Sequence, residues 1–451
     1  MSRVSRYSHF QPWHDGYYIA FNSRTGAVAL MTEANYQTYQ QLVDKLSNDG
    51  REAVTSLTPP ELELLKQLEY GLFMYRENTD ELEALKFQHG MVRYDMTKLG
   101  LVLAPTMACN MACPYCYESN KRGKMSPEVI KSIVSFVDKQ ARSLDQVDVN
   151  WYGGEPLLAM DVISELSESL IRLGEEKQFT YTSSIVTNGY LLTKEVVDRL
   201  VGYHVSVCQV TLDGPARLHN QKRPLKNGRE SYETILENLK YAATKLMVSV
   251  RVNVDKNLEA AEIIELLAEL KQADLQGKVA VYFAQLEPAS ISCAAIAETC
   301  YDNAGFSDVE IDYCRLLLDQ GFRIEKLPRP SATFCMVHRV NAFLIDSEGF
   351  LYRCWNHVGD TDKSMGNVRD KINYQHPNFT RLFSFSPFED EMCRDCSILP
   401  ICMGGCPAQR TDQGLVGEQM CQSWKHNLTP MLEIIARSRQ QQVQATPKEQ
   451  V

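Results

Sequence analysis

The sequence has no cysteine before position 109, no long apolar run and no excess of basic residues. Its 57 Asp and Glu residues outnumber its 47 Lys and Arg residues, which gives the 451-residue chain a formal net charge of −10. This balance argues against nucleic acid or an anionic membrane as the main partner. No stretch approaches the roughly 18 apolar residues that a membrane-spanning helix needs. The first residues lack the apolar core of a secretory signal, so we expect a cytoplasmic protein.

The 14 cysteines are distributed unevenly, since seven of them lie between Cys335 and Cys421. In a reducing compartment, such clustering predicts metal ligands rather than disulfides. If the protein were secreted, the same cysteines could pair as disulfides, but the missing signal makes this the minor alternative.

Residues 1–95 predict a separate N-terminal module. Residues 16–32 read as two strands around a turn at Ser23–Gly26, and two helical patterns follow. The second helical pattern begins at Thr58, with prolines at its first helical positions. Strands followed by short helices are typical of a winged-helix-like fold. The alternative is an N-terminal extension that only packs on the main domain.

From residue 99, strand and helix patterns alternate regularly. One helix is predicted to begin at Ser126 and another at Thr193. This alternation predicts parallel βα units in an α/β fold. Because a complete barrel of this type has eight strands, six strands predict a partial (β/α)6 barrel that is open on one side. The six strand patterns span residues 99–105, 146–154, 179–189, 205–214, 246–255 and 278–286.

The rest of the chain divides by composition. We assign residues 96–300 to the barrel, 301–334 to a bridging region, 335–425 to a cysteine-rich domain and 426–451 to a tail. The cysteine-rich domain has little periodicity, so we expect bound metal to stabilise it.

Three cysteines follow the first barrel strand with a C-x3-C-x2-C spacing: Cys109, Cys113 and Cys116. Thiolates suit iron–sulfur clusters or zinc, and a structural zinc normally has four protein ligands. Three thiolates on a four-iron cluster would leave one iron open to a small molecule.

This motif resembles the signature of the radical S-adenosylmethionine (radical SAM) superfamily, which has an aromatic residue before the last cysteine. Tyr115 fills that place. The resemblance implies a 4Fe–4S cluster that binds S-adenosylmethionine and cleaves it reductively. The product is a 5′-deoxyadenosyl radical, which abstracts a hydrogen atom.

Later loops support the resemblance, which implies cofactor contacts from Gly153, Gly154, Glu155, Pro156, Thr211, Asp213 and Tyr115. The segment Gly153–Pro156 is expected near the amino group of S-adenosylmethionine, because the carboxylate of Glu155 can accept hydrogen bonds from an ammonium. Thr211 and Asp213 are expected near the ribose, although Asp-Gly-Pro is also a common turn. Asn253 could point into the barrel, and Arg223 and Arg251 could be pocket residues or solvated ones.

Seven C-terminal cysteines match the pattern of the SPASM domain, which is appended to one branch of this superfamily. The resemblance implies two auxiliary 4Fe–4S clusters. The first would be bound by Cys335, Cys354 and Cys406, and the second by Cys393, Cys396, Cys402 and Cys421.

The fourth ligand of the first auxiliary cluster is not evident, because no cysteine closely follows Cys335. Either another residue fills the place or one iron is open. The candidates are His338, Cys293, Cys300 and Cys314, but buried core positions are the favoured interpretation of these three cysteines and of Cys208. A zinc ribbon would explain residues 393–406 alone, but not the flanking cysteines.

The resemblance to the SPASM branch implies an enzyme that modifies a peptide or a protein. Relatives that oxidise sulfatases carry a catalytic aspartate after the cysteine that corresponds to Cys354, and here Trp355 and Asn356 follow. The N-terminal module is similar in element order to domains that bind a leader peptide as an added strand, which raises the effective concentration of the substrate.

We therefore expect a maturase that modifies a ribosomally made precursor peptide by a thioether or carbon–carbon crosslink or by backbone rearrangement. The expected partners are this peptide and an electron donor such as flavodoxin or ferredoxin. The alternatives are a formylglycine-forming enzyme of the sulfatase-maturating type and, in another class, a non-catalytic iron–sulfur electron-transfer protein. The sequence does not identify the catalytic base.

Overall fold

The computed structural model describes residues 2–48, 56–76, 78–116, 118, 123–287 and 296–445. Two small antiparallel sheets build the N-terminal module: β2, β3 and β4 form one, and β1 pairs with β5 in the other. Its elements are β1 (Ser2–Val4), β2 (Ser8–Pro12), β3 (Tyr17–Asn22), β4 (Ala27–Thr32), α1 (Glu33–Asn48), α2 (Pro59–Tyr70), β5 (Met74–Arg76) and α3 (Glu81–Arg93).

The predicted hairpin and the two helices after it are confirmed. Thr58 and Glu61 form a reciprocal cap at the start of α2, and the backbone N–H of Thr58 donates to the Glu61 carboxylate over 2.8 Å. Stacking of Phe10 on Tyr39, with ring centroids 4.4 Å apart, packs the sheet against α1. β1, β2, β5 and α3 were not predicted, because their sequences are short or lack a clear period.

Six parallel strands form the barrel sheet in sequence order. They are β6 (Lys98–Leu103), β7 (Gln146–Trp151), β8 (Thr180–Thr187), β9 (Val205–Thr211), β10 (Met247–Val254) and β11 (Val279–Gln285). All six predicted strands are therefore present, and each ends before its predicted limit because the next residues turn into the loops. The partial α/β barrel is confirmed.

The barrel helices are α4 (Pro127–Asp138), α5 (Met160–Lys177), α6 (Lys194–Gly202), α7 (Ala216–Lys222), α8 (Tyr232–Ala242), α9 (Ala260–Gln272) and α10 (Asn303–Asp319). The link between β9 and β10 holds two helices where the sequence predicted one. The predicted N-caps are confirmed, since the side chains of Ser126 and Thr193 accept hydrogen bonds from Val129 N and Val196 N.

The cysteine-rich region adds two strands to the barrel sheet. β12 (Ala342–Ile345) pairs in parallel with β6, and β13 (Leu351–Tyr352) pairs antiparallel with β12. The sequence did not predict this, because periodicity fades after residue 300. The first auxiliary cysteines therefore lie at the β6 side of the barrel.

Short helices and one long helix complete the C-terminal part: α11 (Pro377–Phe383), α12 (Glu391–Arg394), α13 (Leu399–Cys402), α14 (Pro407–Asp412) and α15 (Trp424–Ala445). Residues 426–445, which we assigned to a tail, form most of α15. This helix buries Leu428, Met431 and Leu432 and packs on α10, where Asn427 donates to Glu310 over 2.9 Å. Residues 446–451 lie outside the described residues.

Among the helices that the structure describes, none is both long enough and apolar enough to cross a bilayer.

Replacing Ser126 with Ala should lower the free energy of unfolding by about 1 kcal/mol, because the N-cap hydrogen bond to Val129 N is lost. Ser132→Ala on the same helix is the matched control, since its hydroxyl only bonds the Glu128 carbonyl at an exposed position. Urea unfolding measures both, and equal stabilities of the two variants would contradict the capping role.

Candidate active site

The cysteine loop follows β6 and is joined by hydrogen bonds to the loop after β7. The backbone N–H of Gly154 donates to Thr106 O over 3.2 Å, and that of Glu155 donates to Ala108 O over 2.9 Å. The position of the cysteines is therefore set by two strands.

Gly153 and Gly154 lie directly against this loop. A Cβ added at Gly153 would be 2.4 Å from Thr106 O, and one at Gly154 would be 2.4 Å from Ala108 O. Gly153 also has a φ of +117°, which disfavours other residues. The resemblance places these glycines near the amino group of S-adenosylmethionine, but their immediate neighbour is the backbone of the cysteine loop.

Glu155 is completely buried, and its carboxylate is engaged inside the protein. It accepts hydrogen bonds from Leu157 N over 3.0 Å, from Thr187 Oγ1 over 2.7 Å and from Asn188 N over 2.7 Å. Burial raises the pKa of Glu155, and these donors oppose the shift. Since Asn188 also donates to Asn110 over 2.7 Å, Glu155 ties the ends of β7 and β8 to the cysteine loop.

Tyr115, Asp213 and Arg223 form a second buried network. The Tyr115 hydroxyl donates to Asp213 Oδ2, and Arg223 Nη1 donates to the Tyr115 hydroxyl over 2.6 Å. Asp213 also accepts from Asn253 N over 3.0 Å and lies 3.5 Å from Arg223. Burial raises the pKa of Tyr115, and the positive charge of Arg223 opposes this. Asp213 therefore acts as the counter-ion of Arg223 and holds the loop through Tyr115.

A cavity of about 530 Å³ lies at the carboxyl ends of the barrel strands. Of the predicted cofactor residues, Gly153, Gly154, Tyr115 and Thr211 line it. Glu155, Pro156 and Asp213 lie behind its wall. The full lining is Cys109, Cys113, Tyr115, Cys116, Glu118, Asn150, Tyr152, Gly153, Gly154, Val186, Thr187, Asn188, Gln209, Thr211, Arg223, Arg251, Asn253, Gln285, Leu286, Glu287, Trp355 and Asn356.

Arg223, Arg251 and Asn253 are thus cavity residues rather than solvated ones. Arg251 Nε donates to Asn253 Oδ1 over 2.8 Å. Four further cavity residues were not predicted: Tyr152, Gln209, Gln285 and Glu287. Tyr152 and Glu287 come just after β7 and β11, two positions beyond the cavity residues Asn150 and Gln285, so they continue the alternation of these strands.

A second cavity of about 560 Å³ adjoins the first along the inner face of β9, β10 and β11. Both are lined by Gln209, Arg251, Gln285 and Glu287. A third cavity of about 370 Å³ also includes Gln285 and Glu287. Glu287 accepts a hydrogen bond from Gln409 over 2.9 Å, and burial raises its pKa.

The three thiols suit soft metal ligation. Burial raises the pKa of Cys109 to about 11 and that of Cys116 to about 12. Burial also raises the pKa of Cys113, and the positive charge of Arg223 opposes this shift. A bound metal deprotonates such thiols. Within the described residues, no three Cys, His, Asp or Glu side chains converge closely enough to enclose a single metal ion. The ligands of a four-iron cluster bind separate irons, so they lie farther apart than the ligands of one ion.

The C-terminal cysteines come together in the two expected groups. Cys335, Cys354 and Cys406 share an apolar cluster with Val337 and Leu382. Their thiols also interact electrostatically with one another. The other group lines one small cavity: Cys393, Cys396, Cys402 and Cys421. Their ligation of clusters stays a prediction.

Cys208, Cys300 and Cys314 are buried, as expected for core residues. Cys293 lies outside the described residues. His338 is buried beside His89 and Phe385, with ring centroids 5.9 and 6.1 Å away, and neither of its ring nitrogens has a hydrogen-bond partner among the described residues. Its role as a fourth ligand stays a prediction.

Replacing Gly154 with Ala should displace the cysteine loop, because its methyl group would contact Ala108 O and Met107 O. We expect a loss of about 1–3 kcal/mol in unfolding free energy and less bound iron per chain after anaerobic reconstitution. Gly202→Ala is the control, since a Cβ there meets nothing within 4 Å. Wild-type iron content and stability in the Gly154 variant would refute the packing argument.

Comparison with known proteins supports the same assignment. Residues 103–267 match the model of the radical SAM superfamily. The serine-type anaerobic sulfatase-maturating enzyme of Klebsiella pneumoniae is 25% identical over 330 residues, which cover 68% of this chain and 81% of that enzyme. The radical SAM cyclopropyl synthase TigE of Paramaledivibacter caminithermalis is 26% identical over 206 residues, which cover 40% of this chain and 42% of that enzyme.

A solved structure described as native anSMEcpe with bound AdoMet and Kp18Cys peptide has the same fold. It aligns with a TM-score of 0.61 at 21% sequence identity, over 76% of this chain and 99% of that one. The family match, the partial barrel and the grouped cysteines agree. Residues 103–267 therefore form a radical SAM domain, and the related enzymes support an enzyme whose cofactors are a 4Fe–4S cluster and S-adenosylmethionine. The grouping of the seven C-terminal cysteines agrees with the SPASM domain that the sequence predicts.

Proposed function

We propose that this enzyme modifies a ribosomally made precursor peptide, by a thioether or carbon–carbon crosslink or by backbone rearrangement. The observation that carries the proposal is the combined size of three adjoining cavities. The main cavity of about 530 Å³ shares walls with two more, of about 560 and 370 Å³. One cavity of this size is enough for a single small ligand. The remaining volume suits a peptide segment beside the cofactor.

Cys109, Cys113 and Cys116 would hold the cofactor cluster in this proposal, and Gly153, Gly154 and Thr211 would border the bound S-adenosylmethionine. When bound, these groups supply a carbon radical that removes a hydrogen atom from a substrate carbon. Tyr115 keeps the loop in place, because its hydroxyl is bonded to Arg223 and Asp213. Asn253 completes the wall.

Glu287 is the group that we propose accepts a proton from the attacking substrate atom. It lines all three cavities, so a substrate that spans them passes beside it. Burial raises its pKa, which favours a carboxylate that takes up protons readily. Arg251 opposes that shift and stands at the same junction, where it would orient polar groups of the peptide.

The N-terminal module would bind the leader segment of the precursor. In the described part of the chain, β4 pairs with β3 and forms one edge of its sheet. Leu30 on this strand is 48% exposed, which offers an apolar contact beside the edge. A leader peptide added as a strand there would be held near the barrel.

Formylglycine formation in a sulfatase is the second candidate. It is favoured by the similarity to the Klebsiella pneumoniae enzyme, which extends over 81% of that protein. Trp355 and Asn356 argue against it, because both line the main cavity and neither can act as a carboxylate base. Either reaction needs one electron for each cleavage of S-adenosylmethionine, so flavodoxin or ferredoxin belongs to the proposal as donor.

Anaerobically reconstituted, reduced protein should convert S-adenosylmethionine to 5′-deoxyadenosine, measured by liquid chromatography. Cys113→Ala should abolish this conversion, because it removes a proposed cluster ligand. Cys208→Ala should keep it, since Cys208 is a fully buried barrel residue. Equal activity of the two variants would refute the assignment of the loop.

Co-expression with a short peptide encoded beside the gene should give a peptide whose mass is lower by two hydrogens, if a crosslink forms. Mass spectrometry after proteolysis should then find the two joined segments together. Hydrazine treatment is the control, because only an aldehyde reacts with it. A hydrazine-reactive product from a sulfatase peptide would favour the second candidate.

A further inference from the structure

Arg353 is a buried arginine immediately before Cys354. Among the described residues, its side chain is one of the largest that are fully buried, and only 1% of the residue's surface is exposed. The guanidinium donates to the carbonyl oxygen of Ala342, to that of Val337 over 2.7 Å and to that of Arg339 over 2.6 Å. These carbonyls lie in the segment that follows Cys335, so Arg353 packs between two members of the first auxiliary group.

Aromatic rings cover the guanidinium. Its central carbon lies 4.6 Å from the ring centre of Phe379, 5.6 Å from that of Phe343 and 5.9 Å from that of Phe383. Arginine stacks favourably on such rings. The rings and carbonyls exclude water, but they carry no net negative charge.

Among the residues that the structure describes, Arg353 has no carboxylate counter-ion. In the described ranges, no Asp or Glu forms an ion pair with Arg353, and its Nε has no hydrogen-bond partner. Arginine remains protonated in proteins, so this buried side chain carries a positive charge. A buried charge without a partner is strongly unfavourable.

We propose that Arg353 is the counter-ion of an auxiliary iron–sulfur cluster held by Cys335, Cys354 and Cys406. This inference rests on the proposed ligand role of these cysteines. Thiolate ligands bring negative charge into the site, and that charge balances the guanidinium. Reduction of a cluster adds one more negative charge, so a fixed cation beside it stabilises the reduced form. Arg353 therefore raises the reduction potential of this cluster and links its binding to the stability of the domain.

Arg93 provides a matched comparison. It is also buried, at 6% exposure, and also donates to carbonyl oxygens, those of Phe383 and Phe385. Its guanidinium lies 4.2 Å from the ring centre of Phe383. Tyr94 and the Glu389 carboxylate favour the charged form of Arg93. A general loss of packing would therefore affect Arg93→Met and Arg353→Met alike.

The test is a redox titration of the anaerobically loaded full-length chain, followed by electron paramagnetic resonance. The relevant signal is the one that Cys354→Ala removes. Arg353→Met should decrease the ratio of reduced to oxidised cluster at a fixed potential at least tenfold, which is a shift of 59 mV for one electron. Arg353→Lys, which keeps the charge, should shift the potential less, and so should Arg93→Met.

Stability provides the second measurement. The difference in urea midpoint between loaded and cluster-free protein should be smaller in Arg353→Met than in the wild type, and unchanged in Arg93→Met. An unaltered potential and an unaltered difference in Arg353→Met would overturn the proposal. If Arg353→Met loads no cluster, loading by Arg353→Lys supports a role of the charge, and failure of both variants contradicts it.

The underlying ligand assignment is tested separately by iron content. If Cys335→Ala, Cys354→Ala and Cys406→Ala bind as much iron as Cys208→Ala, the proposed auxiliary site itself is wrong. If they bind less iron while Arg353→Met behaves as the wild type does, only the counter-ion proposal fails.

Discussion

The site depends on the close contact between two backbone segments. The loop after β6 lies so near Gly153 and Gly154 that a single methyl group at either glycine would collide with a carbonyl oxygen. Glu155 then extends this contact to the end of β8 through Thr187 and Asn188. Hydrogen bonds therefore join the cysteine loop after β6 to the ends of β7 and β8. This joined segment forms one wall of the main cavity.

The C-terminal domain is a structural part of this same cavity. Pairing of β12 with β6 brings the chain around the barrel, and β13 then leads to Cys354. Trp355 and Asn356, which follow this cysteine, line the main cavity. The ring of Trp355 packs edge-on against Tyr152, with centroids 4.4 Å apart. The residues next to the first auxiliary group are thus within reach of a substrate.

Local patterns were enough to predict the barrel strands and two helix caps, because apolar runs between glycine-containing loops define strands without any knowledge of packing. The grouping of the C-terminal cysteines came from the resemblance to the SPASM domain, since spacing alone does not say which cysteines come together. β12 escaped prediction because four residues carry no period and its partner strand is far away in the sequence. α15 was assigned to a tail, since its polar end masked the apolar stripe that contains Leu428, Met431 and Leu432.

The roles of Glu155 and Arg353 could not be predicted, because they depend on which groups surround the side chain. A carboxylate in a glycine-rich loop can accept from a ligand or from backbone N–H groups, and only the three-dimensional contacts distinguish these cases. An arginine before a cysteine gives no sign of burial, because arginine is mostly found at the surface.

The parallel pairing of β6 with β12 has a consequence for biosynthesis. When β6 leaves the ribosome, the strand edge that will pair with β12 has no partner until residues 342–345 have been translated. During that interval this edge presents unsatisfied N–H and C=O groups, which is the condition under which nascent chains aggregate. Such distant pairings also slow folding. Assembly of this enzyme thus favours late closure of the sheet, after the whole C-terminal domain has been made.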